Sequence, residues 1–315
     1  MVKRVLLASP RGYCAGVERA VETVERVLDL YGPPVYVRKQ IVHNGHVVRE
    51  LEERGAVFVE SEEDVPFGER LVLSAHGVAP SVHAAAARRG LETIDATCPL
   101  VTKVHVEARR YAADGYTIVL IGHEGHEEVV GTVGEAPAAI VVIGSVEEAE
   151  ALSVPDPERV AYITQTTLSV DETAEIVRVL RRRFPALRAP AKEDICYATT
   201  NRQGAVKEMA EAIDLLLVVG SENSSNSNRL VEVARAAGVP SHLIDDERSI
   251  DERWLDGAET VGVTSGASAP EHLVTRVCDW FRARGVLEVA PFAMAAEDVF
   301  FRLPVELRRA DRSAA

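Results

Sequence analysis

The chain has 315 residues, 47% of them hydrophobic and 27% charged, and carries a formal net charge of −14. That length allows two or three domains of roughly 100 residues each, and the composition is that of a soluble globular protein. The acidic balance argues against general binding to nucleic acid or anionic membrane, which needs a basic face, and no apolar run is long enough to span a bilayer.

Val5-Leu6-Leu7-Ala8 is too short for a signal peptide and is expected as a buried strand of a cytoplasmic protein. After Cys14, Val17, Val21, Val24, Val27 and Leu28 recur at helical spacing until Gly32-Pro33-Pro34 stops them. A strand over 35–37, a polar loop over 41–46, a helix through Val47, Val48 and Leu51, and strands over 57–59 and 71–73 follow. The last of these runs into Ser74-Ala75-His76-Gly77. A second round starts at Asp95-Ala96-Thr97-Cys98-Pro99, with Val101, Val104, Ala108 and Tyr111 on one helical stripe. Its strands over 116–121 and 160–163 deliver Gly122-His123-Glu124-Gly125-His126-Glu127-Glu128 and Thr164-Gln165-Thr166-Thr167. A third round starts at Cys196, and its strands over 215–219 and 261–263 deliver residues 220–228 and Thr264-Ser265-Gly266-Ala267-Ser268. The tail is expected to add a strand as a clasp, with residues 308–315 polar and frayed.

The register supports one unit used three times. From cysteine to first polar loop the count is 29 residues to His43, 28 to His126 and 28 to Ser224. Strands alternating with helices predict an α/β fold of three pseudo-equivalent units with mainly parallel sheets, and if these pack around a pseudo-threefold axis their cysteines and loops can converge on one central cavity, the place expected below for an iron–sulfur cluster. The units are placed at 1–97, 98–195 and 196–285, with 286–315 as the clasp and tail. In such sheets ligands bind beyond the carboxyl ends of the strands, where every polar loop above lies.

Cys14, Cys98 and Cys196 lie 84 and 98 residues apart, too far for a local metal knuckle. In a reducing compartment, metal ligation or catalysis suits them better than disulfides. At helix starts a thiolate is stabilised by backbone N–H groups. Three thiolates from three units suit one shared centre, and a 4Fe–4S cluster with three cysteine ligands keeps one iron open. Zinc stays open, although no histidine lies at finger spacing. Cys278 is spaced with Leu273, Val274, Val277 and Phe281 and is expected in a buried helical stripe.

His43, His76 and His126 fall on strand-end loops. With Asn44, Thr166, Thr167, Ser224, Ser225, Asn226 and Ser268 they form a donor-rich set without lysine or arginine. Imidazoles, hydroxyls and helix N-termini of this kind can cradle a diphosphate. A flexible polar linker is the bland alternative for residues 223–228. Two other functional classes use parts of the same pattern: a non-enzymatic iron–sulfur sensor, and a small-anion-binding α/β module.

The motifs Pro10-Arg11-Gly12-Tyr13-Cys14, Val42-His43-Asn44, Ser74-Ala75-His76-Gly77 and Asp95-Ala96-Thr97-Cys98-Pro99 occur in this order. Gly122 to Glu128, Thr164-Gln165-Thr166-Thr167, Ile195-Cys196-Tyr197-Ala198-Thr199-Thr200-Asn201-Arg202 and residues 223–230 continue the series as far as Gly266-Ala267-Ser268-Ala269-Pro270. Together they resemble the LytB (IspH) family of 4-hydroxy-3-methylbut-2-enyl diphosphate reductases, the last step of the non-mevalonate isoprenoid pathway. One departure is Glu127, where the family usually has proline.

The resemblance implies a three-lobed protein with one 4Fe–4S cluster held by Cys14, Cys98 and Cys196, its open iron binding the substrate hydroxyl. It implies an allylic diphosphate substrate, and the chain is expected to act as a monomer. The diphosphate would sit among His43, His76, His126, Ser224, Ser225, Asn226 and Ser268. Glu128 would supply protons, with Thr166 placing the hydroxyl and relaying them. Electrons would come from a small redox protein such as ferredoxin or flavodoxin, and the products would be isopentenyl and dimethylallyl diphosphate. In an extended loop, His126 and Glu128 would face one way and Glu127 the other. That alternation also selects Glu128 as the proton donor and turns Glu127 away.

Overall fold

The computed structural model describes residues 2–314. Its first strand, β1 (Arg4–Ser9), leads to Cys14 and helix α1 (Ala15–Tyr31). Next come β2 (Val35–Arg38), α2 (Gly45–Glu53), β3 (Ala56–Val59), β4 (Arg70–Leu73), α3 (Pro80–Arg88) and β5 (Glu92–Asp95), which leads to Cys98 and α4 (Pro99–Ala113). The second round is β6 (Thr117–Ile121), α5 (Glu127–Glu135), β7 (Ile140–Ile143), α6 (Val146–Ala151), β8 (Val160–Thr164) and α7 (Val170–Arg183). Cys196 and α8 (Tyr197–Met209) follow. The third is β9 (Leu215–Val219), α9 (Ser225–Ala236), β10 (Ser241–Ile244), β11 (Thr260–Ser265) and α10 (Glu271–Arg282). β12 (Glu288–Ala293) and α11 (Val305–Ala314) close the chain.

These strands form three sheets, ordered β10-β9-β11-β1-β12, β3-β2-β4-β5 and β7-β6-β8, and every pairing is parallel. The repeat is therefore visible in topology as well as in register. In the first two sheets, the strand that leads to a cysteine is added beside the last strand of a round: β1 beside β11, and β5 beside β4. The third sheet keeps a remnant of this, a parallel bridge of Ala161 in β8 to Arg188, eight residues before Cys196. Sequence register puts β1 with residues 1–97, whereas its hydrogen bonds go to β11 and β12. The physical reason is that each cysteine-bearing strand finds its free edge on the sheet of the round before it, and for Cys14 that round is the third.

Two compact units divide the chain. One contains the chain up to Ala15, His43–Val47 and Tyr197–Phe300; the other contains Gly16–Val42, Val48–Cys196 and the chain from Phe301 onward. In the first, the period-two alternation of a doubly covered strand sorts β9. Leu215, Leu217 and Val219 pack with Leu273, Val274, Val277 and Phe281 of α10, while Leu216 and Val218 pack with Val206 and Met209 of α8 and Leu230 of α9. In the second, β6 is sorted the same way. Val119 and Ile121 pack with Ile176 and Leu180 of α7, and Ile118 and Leu120 with Val104, Ala108 and Tyr111 of α4. Each such buried Val or Leu contributes about 1.5–3 kcal/mol, so the strand ends are rigid supports for the loops they carry.

Cys278 is 2% exposed within the α10 stripe, as its spacing predicts. The tail adds the expected strand, β12, parallel to β1, but residues 308–314, expected to fray, belong to α11, anchored by the buried Leu307; Ala315 lies outside the described residues. Among the described residues, no helix is long and apolar enough to cross a membrane.

Candidate active site

The three cysteines at round starts are placed alike. Cys14, Cys98 and Cys196 each immediately precede a helix, α1, α4 and α8, and each is half-buried and forms no disulfide. Each N–H donates to a carbonyl just beyond the last strand of a round: Cys14 to Ala267 at 3.2 Å, Cys98 to Ala75 at 3.0 Å and Cys196 to Thr166 at 3.0 Å. In all three cases the next residue is one that the sequence marks for diphosphate binding: Ser268, His76 and Thr167. Cys278 shares none of this; burial in mid-helix raises its thiol pKa.

In the unit that contains Cys98 and Cys196, two glycines shape the donor cluster. A Cβ at Gly134 of α5 would lie 2.2 Å from that of Ala79, and one at Gly131 would lie 3.1 Å from the Gly77 carbonyl. Bare backbone at both positions lets α5 press against the turn carrying His76. His76 and His126 then meet edge to face with ring centroids 6.0 Å apart. His126 is the N-cap of α5, its Nδ1 accepting from the Glu128 N–H. Burial, followed by the charges of His76 and His123, pushes its pKa down to about 4. The imidazole is therefore neutral near pH 7, with its proton on Nε2, a hydrogen-bond donor.

The loop over 126–128 is the first turn of α5 and not extended chain, so the alternation expected there does not hold. Glu127 does not turn away: its Oε2 lies 3.2 Å from His76 Nδ1. Burial raises its pKa, but the His76 hydrogen bond and the charges of His76, Lys39 and His126 outweigh burial and hold it below the ordinary value. Glu128 points into the protein and is 3% exposed. Its Oε1 accepts from the Thr166 N–H at 2.6 Å and its Oε2 from the Thr166 hydroxyl at 2.9 Å. Desolvation overrides these bonds and raises its pKa to about 7. The turn holding Thr166 is braced by Gln165, which sequence reasoning passed over. Gln165 Oε1 accepts from the His123 N–H at 3.1 Å, and its Nε2 donates to Thr167 Oγ1 at 3.0 Å.

In the unit that contains Cys14, the polar run 223–228 is the start of α9, not a linker. Ser224 caps the helix, its Oγ accepting from the Ser227 N–H. A Cβ at Gly220 or Gly266 would strike Ser227 Oγ at 2.2 or 2.0 Å, so two glycines at strand ends make the notch that seats this helix start. Ser268 Oγ donates to the His43 carbonyl at 3.0 Å and lies 3.5 Å from Ser224 Oγ. His43 Nδ1 lies 3.4 Å from Asn223 Nδ2, a neighbour the sequence did not single out. Asn44 Oδ1 accepts from the N–H groups of His46 and Val47 at the start of α2. Asn226 is engaged at both ends, accepting from the Ala267 N–H at 2.8 Å and donating to Thr199 Oγ1 at 3.3 Å. It braces the Ala267-Ser268 turn. Ser225 follows at the first position of α9. One unit thus gathers His43, Asn44, Ser224, Ser225, Asn226 and Ser268 near Cys14's loop, and the other gathers His76, His126, Glu127, Glu128, Thr166 and Thr167.

A family model described as LytB protein matches residues 5–282. The chain belongs to the LytB family. It is 65% identical over 308 residues to the 4-hydroxy-3-methylbut-2-enyl diphosphate reductase of Acidothermus cellulolyticus, covering 98% of this chain and 91% of that one. It is 61% identical to 4-hydroxy-3-methylbut-2-enyl diphosphate reductase 2 of Mycobacterium tuberculosis, over 97% of this chain and 92% of that one. Among solved structures it is similar to the E-1-hydroxy-2-methyl-but-2-enyl-4-diphosphate reductase of Plasmodium falciparum. That match has a TM-score of 0.96 and 39% identity, covering 100% of this LytB chain and 99% of that one. A second solved structure, titled as (E)-4-hydroxy-3-methyl-but-2-enyl diphosphate reductase, the terminal enzyme of the non-mevalonate pathway, matches with a TM-score of 0.64. It is 31% identical, over 90% of this chain and 100% of that one.

Proposed function

We propose that this chain is a reductase that removes the hydroxyl of (E)-4-hydroxy-3-methylbut-2-enyl diphosphate, giving isopentenyl and dimethylallyl diphosphate. Two electrons and two protons convert the hydroxyl to water. The observation that carries this reading is the double role of Thr166, whose N–H and hydroxyl engage Glu128 while its carbonyl accepts from Cys196. It ties a carboxyl that titrates near neutral pH to the backbone of a thiol available for metal. A sensor has no use for such a carboxyl.

Cys14, Cys98 and Cys196 are the residues that would hold a 4Fe–4S cluster. Three half-buried thiols in matching positions at helix starts suit that donor set, whereas the mid-helix Cys278 does not. When bound, the cluster supplies electrons and a Lewis-acidic iron for the hydroxyl. The chain's own part is binding and proton delivery. His126, neutral with Nε2–H outward from its capping nitrogen, donates to a diphosphate oxygen. His43, His76, Ser224, Ser225 and Ser268 supply further donors, and the α9 N-terminus adds its N–H groups. Asn44 and Asn226 act by holding those turns in place. Glu128, with its pKa near 7, is protonated often enough to give a proton and basic enough to regain one. The Thr166 hydroxyl orients its carboxyl and the substrate hydroxyl, while Thr167 borders the same turn.

Electrons come from a small redox protein such as ferredoxin or flavodoxin. Turnover of the hydroxylated C5 diphosphate by reconstituted protein with a chemical reductant tests the reading. Reductant consumption without formation of either C5 product would defeat it.

A further inference from the structure

Each of the helices opened by Cys14, Cys98 and Cys196 carries a cation early in its length, and the three cations behave alike. Arg19 lies five residues after Cys14, Lys103 five after Cys98 and Arg202 six after Cys196. None of them turns to the segment ahead of its own cysteine. Arg19 donates from NH1 to the Thr97 carbonyl at 3.0 Å and from NH2 to the Asp95 carbonyl at 3.4 Å, immediately ahead of Cys98. Lys103 donates to the Lys192 carbonyl, to the Glu193 carbonyl at 3.0 Å and to Asp194 Oδ1 at 2.7 Å, immediately ahead of Cys196. Arg202 donates from NH2 to the Gly12 carbonyl at 2.8 Å, two residues ahead of Cys14.

The pattern closes on itself. The helix of Cys14 holds the approach to Cys98, that of Cys98 holds the approach to Cys196, and that of Cys196 holds the approach to Cys14. Two of the three cations are deeply buried, Arg19 at 9% and Arg202 at 0% exposure. Burying a cation is costly unless its donors are matched, so a generic solubility or surface role does not account for them. Their targets are mostly peptide carbonyls, which fix backbone position and not merely charge.

Two tail contacts belong to the same devices. Arg19 Nε donates to the Arg302 carbonyl at 2.8 Å, and Arg202 NH1 donates to Glu297 Oε1 at 3.0 Å. Together with the N–H bonds of the cysteines to Ala267, Ala75 and Thr166, these contacts fix the backbone at and just ahead of each cysteine. Preorganised ligands of this kind depend on such supporting contacts.

We infer that Arg19, Lys103 and Arg202 are positioning residues for the three thiols, each latching the approach segment of a different cysteine from the helix that another cysteine opens. The inference rests on the proposed reading that these thiols hold one cluster. It adds a cyclic dependence, because loosening one latch should disturb a distant cysteine and spare the one on its own helix.

Hydrogen exchange of the cluster-free protein, compared with chelator-driven iron release after reconstitution, tests this. Lys103→Met should speed amide exchange over 193–197 roughly tenfold, the loss expected for a charge-assisted hydrogen bond, and leave 12–14 and 96–98 unchanged. Lys103→Arg should restore protection. Arg202→Lys, which keeps the buried charge, should loosen 12–14 and spare 193–197. Reconstituted Lys103→Met should take up iron normally and release it to chelator several-fold faster. Unchanged exchange at 193–197 with normal iron uptake, or equal loosening of all three segments, would overturn the latches alone. Failure of wild-type protein to take up iron would overturn the cluster reading and the inference with it.

Discussion

Thr166 grips Glu128 with two donors, its backbone N–H at 2.6 Å and its hydroxyl at 2.9 Å, one to each carboxylate oxygen. Ordinarily such bonds would stabilise the ionised form and depress the pKa. Here the carboxyl is so fully removed from water that desolvation wins and its pKa rises to about 7. The neighbouring Glu127 has the opposite balance, kept ionised chiefly through His76 against the effect of its burial. Two adjacent glutamates are therefore pushed in opposite directions, Glu127 toward the ionised form and Glu128 toward the neutral one.

Glu128→Gln is expected to leave substrate affinity and iron content near wild-type while lowering the single-turnover rate by roughly 10²-fold or more, the usual size of a lost general acid. Glu127→Gln should instead keep most of the rate. Its contact with His76 is largely buried, and losing one such hydrogen bond costs about 0.5–1.5 kcal/mol, so KM should rise no more than about tenfold. Parallel kinetics of the two variants decide the assignment: a fast Glu128→Gln beside an inactive Glu127→Gln would reverse it.

Gly134→Ala should push α5 off the turn that carries His76, because the added methyl would meet Ala79 Cβ at 2.2 Å with backbone behind it. Overpacking of this kind costs about 1–3 kcal/mol. The expected result is a lower melting temperature together with a raised KM, since His76 and His126 lose their mutual placement. A stability loss with unchanged KM would show that the turn moves as one body with the helix.

Much of this was legible before any coordinates. The spacing of the three cysteines and the strand-end loops follows from the sequence alone, whereas the sorting of β9 does not, because Leu215 to Val219 is apolar throughout and only packing tells its two faces apart. Glu127 was misplaced because the sequence does not say where a loop ends. His126 caps α5, and a helical first turn replaces the alternation of extended chain. The partner of β1 was hidden for a different reason. Strand pairing depends on which sheet offers a free edge, and β11 lies more than 250 residues further along the chain. Gln165, Arg19 and Lys103 escaped because each acts on backbone that is distant in sequence, and no local pattern marks such a contact.

Cysteine variants should divide three against one. Cys14→Ser, Cys98→Ser and Cys196→Ser are each expected to lose or damage the cluster, measured as iron per chain and visible absorption after anaerobic reconstitution. Cys278→Ala should bind iron as wild-type does and lose on the order of 1 kcal/mol of stability, for a small side chain buried in the α10 stripe. Full iron in Cys196→Ser, or lost iron in Cys278→Ala, would mean that the ligand set is wrong.

The final expectation concerns how Glu128 makes stability depend on pH. Its pKa rises from an ordinary 4.5 to about 7 on folding, so between those values the folded chain holds more proton than the unfolded chain. Stability must then fall as pH increases through that window, with the full cost present above about pH 7 and absent below about 4.5. The size is on the order of 3 kcal/mol. His126 works in the other direction: its pKa drops from 6.5 to about 4, so it lowers stability as pH falls through that range. The two trends overlap below pH 6.5, and a single protein's pH profile would blur them. A difference between two proteins isolates the carboxyl, because Glu128→Gln removes its titration and leaves His126 in place. Urea unfolding of both, under identical anaerobic conditions, should show the glutamine variant gaining on wild-type by about 2–3 kcal/mol between pH 5 and pH 8. A difference that stays flat over this range would mean that Glu128 titrates as an ordinary carboxylate and is ionised at neutral pH, leaving it no proton to give.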